Sequence, residues 1–412
     1  MERLVKEIGN RESATESEQR TANQIKAWFE EFGLANTKIE EFDVQTSRIS
    51  KEEAWLPDGT QVDCSAVGNT LSTPRKGVEG EVVMLESTAP SALREIKSKI
   101  AALSIVLYLK DFQKVLESEP LALIYTSRTP LAPGIYRSIR AEYAEKGNIP
   151  AVSMAHDDVL GILKGPKKLK IVTEVQNITS RSRNVLGEVA GTLEGEDILV
   201  CGHYDTVRKV MGAHDNAGGT AMVLELARVF AHQKPNRTIR FAAFGSEELG
   251  LRGSINYAEN PDNVKSLRFC LNLDVHGILI GTLGATALGP EDLKSYLRFT
   301  AKELGIPLPI TSELGSGGSD HMSLALYGVP SVMLERTGAA AQIMHTKLED
   351  LRWCGSEAFV PAGKLSQTLL ERLAKAEEMP FEKKIPREIY KAIEKRFNDL
   401  GIKKKGNVVS TD

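Results

Sequence analysis

Residues 197–206 read DILVCGHYDT, and residues 218–233 read GGTAMVLELARVFAHQ. The first is an unbroken apolar run ending at His203, the pattern of a strand covered on both faces in a sheet with parallel neighbours. The second repeats apolar residues at helical spacing behind a glycine pair. Outward from this pair, TIRFAAFG (238–245) and LRFCLNLDV (267–275) read as two further buried strands. GVPSVMLE (328–335) and a helix around PAGKLSQTLLERLAKAEE (361–378) complete an α/β unit.

Upstream, residues 16–33 carry Ala22, Ile25, Trp28, Phe29 and Phe32 at helical spacing, with Gly33 placed as a C-cap, and TKIEEFDV (37–44) alternates like a strand. From about 50 to 175 the texture changes to short elements: the strand GEVVMLE, a helix over SALREIKSKIAAL (91–103), the strand LALIYTS, then IPAVSMAHDDVLGIL. No catalytic constellation stands out there. Residues 380–412 read as a charged helical tail with no assignable role, and no internal repeat is visible.

At 412 residues the chain exceeds one ordinary core, which predicts two domains. Hydrophobic residues at 42% and charged residues at 26% place it among folded globular chains. A net charge of -3 provides no nucleic-acid footprint. The lysines at Lys164, Lys167, Lys168 and Lys170, and at Lys403 to Lys405, fall in turn-like or terminal sequence and read as solvated faces. Cys64, Cys201, Cys270 and Cys354 form no CxxC pair, which argues against disulfides and thiolate metal sites. No stretch approaches the roughly 18 uninterrupted apolar residues of a spanning helix, and the opening MERLVKEIGNRE lacks an apolar leader core. The expected location is the cytoplasm, or outside the cell if a leader has been removed.

Five short segments carry the chemistry. In HYD, His203 and Asp205 stand two apart at a strand end, so the carboxylate can orient the imidazole while its other nitrogen meets a metal. In GAHDNAGG, small neighbours leave the Asp215 carboxylate room to bridge two cations, although an Asp before a helix also reads as its N-cap. Glu247 and Glu248 cannot both point at one atom, so one binds metal while the other holds the proton; an exposed pair at a helix start would instead serve the macrodipole. Asp274 closes an apolar strand, where an unpaired carboxylate is costly. His345 lies in MHT beyond an Ala-rich loop. His214 and His276 adjoin proposed ligands but should point elsewhere. His321, beside Asp320 in a Gly-rich loop, is the stronger rival, with a structural or substrate-contacting role expected.

Taken in order, HYD, HDN, FGSEELGLRGS, NLD, GGSDHMSLALYGVPSVML and MHT resemble the zinc-dependent exopeptidase family of dizinc leucine aminopeptidases, which also includes glutamate carboxypeptidase and the transferrin receptor. The resemblance spans about 180–375. Residues 50–175 more loosely resemble the protease-associated domain often inserted into these enzymes. The resemblance implies a three-layer α/β/α mixed-sheet catalytic domain from 1–50 and 176–412, with a smaller α/β domain inserted at 51–175. It implies two divalent cations, zinc foremost. His203 and Asp274 would hold one, Glu248 and His345 the other, and Asp215 would bridge both, with Glu247 as general base and Asp205 beside His203. It also implies a cis peptide between Asp215 and Asn216. Where some relatives place a Tyr oxyanion contact before the final His, this chain has Met344, and Tyr204 or a backbone N–H are the substitutes. Arg252 and Arg336 are isolated candidates for a substrate carboxylate.

The expected activity is removal of N-terminal residues from peptides. The rivals are a carboxypeptidase or amidohydrolase on the same metals, and a non-catalytic receptor-like binding protein. The expected partner is a peptide, not nucleic acid or membrane, and self-association into a homo-oligomer is left open.

Overall fold

The computed structural model describes residues 1–127, 129–314 and 318–402. Lys403 to Lys405 lie outside the described residues. Helix Glu16–Phe32 starts at Thr15, whose side chain accepts the Glu18 N–H, and stops at Gly33 in the left-handed region. β1 (Ala35–Trp55) follows, then the short β2 (Gln61–Val62) and β3 (Ser65–Ala66). β4 (Val78–Leu85), β5 (Ile100–Leu103), β6 (Ala122–Thr126) and β7 (Ala151–Met154) run parallel side by side, with β3 antiparallel at the outer edge. The helix expected over 91–103 covers only Pro90–Glu95. Ile100–Leu103 is a strand because its four residues are all buried between β4 and β6, where tertiary pairing outweighs local helical spacing.

β8 (Lys168–Val189) pairs antiparallel with β1 from Ala35↔Glu188 to Trp55↔Lys170. These two long strands run unbroken past positions 50 and 176, so both the smaller sheet and the larger one are built on a single ribbon. The larger part continues with β9 (Leu193–His203), β10 (Arg237–Phe244), β11 (Leu267–Leu273), β12 (Thr282–Leu288), β13 (Ile310–Thr311) and β14 (Ser331–Thr337), in the order β13-β12-β14-β11-β9-β10-β8. β10, β9, β11 and β14 are parallel, whereas β12 and β8 join antiparallel, which makes the sheet mixed.

Alternation along the central strands divides the core in two. Ile198, Val200, Phe241 and Leu271 pack under helices Glu16–Phe32, Gly218–Phe230 and Val360–Lys375. Leu199, Cys201, Phe244 and Cys270 face the other layer, with Leu324, Ile393 and Phe397. This is the three-layer α/β/α arrangement, and covering both faces explains the continuous apolar runs. The C-terminal segment is not a loose charged tail. Helix Arg387–Asp399 buries Tyr390, Ile393 and Phe397 in that second layer, and the Tyr143 hydroxyl donates to the Asp399 carbonyl, tying it to the smaller unit. Its apolar stripe is only three residues among many charges, which hid it in the sequence.

Candidate metal centre

Parallel neighbours bring their carboxyl ends to one edge, so His203 at the end of β9, Glu247 and Glu248 just past β10, and Asp274 just past β11 converge. Asp215 enters from the loop before helix Gly218–Phe230. A Cβ at Gly219 would collide with the Leu273 carbonyl and the Asn216 side chain, so glycine lets this helix press against the end of β11. The capping role falls to Asn216, whose Oδ1 accepts the Gly219 N–H at 2.8 Å while its Nδ2 donates to the Leu273 carbonyl at 2.9 Å. That leaves the Asp215 carboxylate to the site. The Asp215–Asn216 peptide is cis.

The Asp215 carboxylate divides its two oxygens between two groups. Oδ1 lies 3.1 Å from His203 Nε2, which is itself 3.2 Å from Asp274 Oδ1. Oδ2 lies 2.9 Å from His345 Nε2, which is 3.0 Å from Glu248 Oε1. Within each set of three the candidate ligand atoms lie within 4.8 Å of one another. Tetrahedral zinc, with bonds of about 2.0–2.2 Å, holds its ligand atoms roughly 3.3 Å apart, so both sets match a zinc-sized ion.

Charge points the same way. Asp205, Asp274, Asp320 and Glu349 are buried beside Asp215, and carboxylates gathered out of water need cations or protons. Without ions the protons move accordingly. Burial works against charging His203 and His345, yet the carboxylates around them hold both well above the usual imidazole range. Burial also raises Asp215, but hydrogen bonds from His203 and His345 overcome it and hold it low. Burial lifts Glu247 well above the carboxylate range, despite His203, and it lifts Asp320 to about 7 and Glu349 to about 8.

Asp205 does more than face His203 Nδ1 at 3.4 Å. It accepts the Glu247 N–H at 3.0 Å, the Glu248 N–H at 3.3 Å and the Ser13 hydroxyl at 2.7 Å, so it positions the carboxylate pair as well as the imidazole. Glu349 plays a matching part on the other side: Oε1 accepts the Asp215 N–H at 3.0 Å and Oε2 the His345 N–H at 2.9 Å. Arg11 is fully buried and donates to the Tyr204, Gly9, Met211 and Gly212 carbonyls, fixing the loop that leads to Asp215. The Tyr136 N–H donates to the His345 carbonyl at 2.7 Å, so the smaller unit holds the loop that carries this imidazole. Sequence reading missed Glu349, Ser13, Arg11 and Tyr136. Only Glu349, in the same short segment as His345, carried any local signal.

Backbone strain gathers here. Ser246, Val275 and His345 have φ of 56°, 54° and 62°, each at or beside a proposed ligand or base. A β-branched residue in the left-handed region costs about 1–3 kcal/mol and persists where surrounding structure demands it.

The competing residues sort clearly. His214, His276 and His321 are buried, held by burial at about 4, and belong to neither set of ligand atoms among the described residues. His276 faces the Leu334 carbonyl at 2.9 Å, while His321 lines the cavity next to Asp274. Tyr204 does not serve the site as an oxyanion contact: its hydroxyl is buried against Glu18 at 2.6 Å and the Arg183 carbonyl at 2.8 Å. Flanked by His203 and Asp205 at a strand end, its side chain points to the opposite face. Arg252 is committed to Glu142 through two bonds of 2.7 and 2.6 Å, and Arg336 to the Ile278 and Leu279 carbonyls. Neither awaits a substrate.

Two cavities meet at Glu247, Glu248 and His345. One, of about 420 Å³, is bordered by Asp274, Glu313, Met333, Glu335 and Met344. The other, of about 340 Å³, runs toward Arg140, Gly250 and Leu400.

Residues 184–367 match the model of a family described as peptidase family M28. The chain is 25% identical over 401 residues to aminopeptidase YwaD of Bacillus subtilis strain 168, covering 92% of this chain and 84% of that protein. Its fold is similar to that of BSAP, a zinc aminopeptidase from Bacillus subtilis, with TM-score 0.76 and 22% identity over 93% of this chain and 96% of that one. It is also similar to a peptidase M28 precursor from Shewanella amazonensis SB2B, with TM-score 0.79 and 21% identity over 93% of this chain and 94% of that one.

Proposed function

Residues 184–367 match peptidase family M28, and from that match we propose that the chain is a metal-dependent aminopeptidase releasing N-terminal residues from peptides. The observation that carries this reading is the division of the Asp215 oxygens between two zinc-sized ligand sets, with Glu247 alongside. His203, Asp215 and Asp274 would hold one ion, and Asp215, Glu248 and His345 the other. When bound, the ions supply Lewis acidity, lowering the pKa of water toward 7 and polarising the scissile carbonyl. Glu247 takes the proton of the attacking water and delivers it to the leaving amine, a role that needs the proton affinity its burial supplies. Asp205 keeps His203 oriented and holds the Glu247 and Glu248 backbone, while Glu349 does the same for Asp215 and His345.

The cavity bordered by Glu313 and Glu335 complements a peptide ammonium and favours the amino end over the carboxyl end. Residues 51–175 serve as an inserted protease-associated domain that walls the cleft and braces the His345 loop through Tyr136.

Glu247→Gln tests the base: kcat should fall by at least about 10²–10⁴-fold while bound metal stays near two per chain. Wild-type kcat in that variant would remove Glu247 from the role. Hydrolysis of leucyl p-nitroanilide, but not its N-acetyl form, with loss on chelation, tests the reading as a whole. Equal cleavage of both forms would favour an amidohydrolase.

A further inference from the structure

The cavity running toward Gly250 is lined by a guanidinium that no acid among the described residues pairs with directly. Arg140 lines it together with Glu247, Glu248 and His345. Among the described residues no hydrogen bond or ion pair reaches the Arg140 guanidinium, and its Nη1 is sealed from solvent without a partner. Of the two acids near it, Glu142 is engaged through both oxygens by Arg252, and Glu247 acts on Arg140 through space without a direct ion pair. Arg252 therefore stands beside Arg140 as a like charge with its own partner. The guanidinium lies over the turn that follows the proposed base: a Cβ placed at Gly250 would fall on Arg140 Nη1, and Gly250 has φ of 105°. Burial, then Arg252, lowers the Arg140 pKa, against the smaller opposing pull of Glu247 and Glu142.

A buried guanidinium with donors unmet is costly unless a ligand meets them. The turn itself fixes which part of a substrate would do so. Glu247 protonates the leaving amine, so the leaving residue lies against Glu247, on the side of the cavity that Gly250 and Arg140 close. We propose that Arg140 is a specificity-determining residue that binds a carboxylate carried by the leaving residue, so that the preferred substrates are peptides with an anionic second position. That anion is the free C-terminal carboxylate of a dipeptide or the side chain of Asp or Glu. The proposal rests on the aminopeptidase reading for the direction of the substrate. A guanidinium presents paired N–H groups to the two oxygens of a carboxylate, which a neutral amide cannot reproduce.

The test compares isosteres on the metal-loaded full chain: Leu-Gly against Leu-Gly-amide, and Leu-Glu-amide against Leu-Gln-amide. A charge-assisted bond made to the anion predicts about 10- to 100-fold higher kcat/KM for the charged member of a pair. Preference in the first pair alone assigns the C-terminal carboxylate, and in the second pair alone the acidic side chain. Arg140→Met should collapse the ratio toward one, and Arg140→Lys should keep part of it. Equal rates within both pairs in the wild type would overturn the proposal without any variant, as would an unchanged ratio in Arg140→Met. Should Arg140→Met not fold, the wild-type ratios and Arg140→Lys decide. N-acetyl-Leu-Gly separates the two readings: cleavage at the Leu-Gly rate would refute the aminopeptidase direction and leave the carboxylate site standing. If no peptide is cleaved, calorimetric binding of the same four peptides reads the preference directly, and equal affinities would overturn it.

Discussion

Replacing Glu349 with Gln should damage the metal centre although Glu349 would touch neither ion. Its two oxygens accept separate backbone N–H groups, from Asp215 at 3.0 Å and from His345 at 2.9 Å. An amide has one oxygen, so whichever way it turns, its NH2 group faces one of those N–H donors. One buried N–H then loses its acceptor, at about 1–3 kcal/mol, and the opposed donors push the loop away. Asp215 and His345 both belong to the second ligand set, so this cost falls on binding of that ion, weakening it by about 10- to 100-fold. Competition against a chromophoric chelator would read two affinities in the wild type, with one selectively weakened in Glu349→Gln. Glu349→Ala, which lacks the opposed donors but frees both N–H groups, should weaken it by a similar or larger factor. Wild-type affinity for both ions together with unchanged kcat in Glu349→Gln would refute the reasoning.

Asp205→Ala releases the Glu247 and Glu248 N–H groups and the Ser13 hydroxyl together, and kcat should fall about 10- to 100-fold, checked alongside metal content. Metal-free protein should lose stability as pH rises. The folded-state pKa values of His203 and His345 stand above their ordinary 6.5, so the stability they contribute is full below 6.5 and is lost as pH climbs through the raised values. Glu247, raised above 4.5, has the same sign, so Tm of chelated protein should decline above pH 6.5, and a flat profile would contradict the charge assignment. Phe397→Ala removes a side chain only 2% exposed from the second helical layer and should cost about 3–5 kcal/mol in urea unfolding. A loss below about 1 kcal/mol would show that the C-terminal helix is dispensable to that core.

Much of the fold was legible because strands covered on both faces must be apolar throughout. DILVCGH, RFAAF and LRFCLNL each declare a central strand without reference to anything distant, and His203, Glu247 and Asp274 mark their ends. Gly33 and Thr15 punctuate the first helix by local rules. Residues 100–103 misled because four small and apolar residues satisfy either period, and their burial between two strands decided the outcome. Helix Arg387–Asp399 escaped interpretation because its partner surface is assembled from separate segments distant in sequence, among them the one carrying Leu324.

The sequence by itself determined which residue types meet at the edge of the sheet, since strand ends and a helix start are local properties and the ligand-bearing segments follow from them. Only the tertiary structure decided that the Asp215 oxygens divide between two ligand sets, that Asn216 caps the helix in its place, and that Glu349 and Asp205 hold the backbone of their neighbours. It alone set Arg140, from a segment without catalytic pattern, beside the turn after Glu247. Hydrogen bonds to buried N–H groups and unmet donors depend on distances between chain segments far apart in sequence, and no local periodicity encodes those distances.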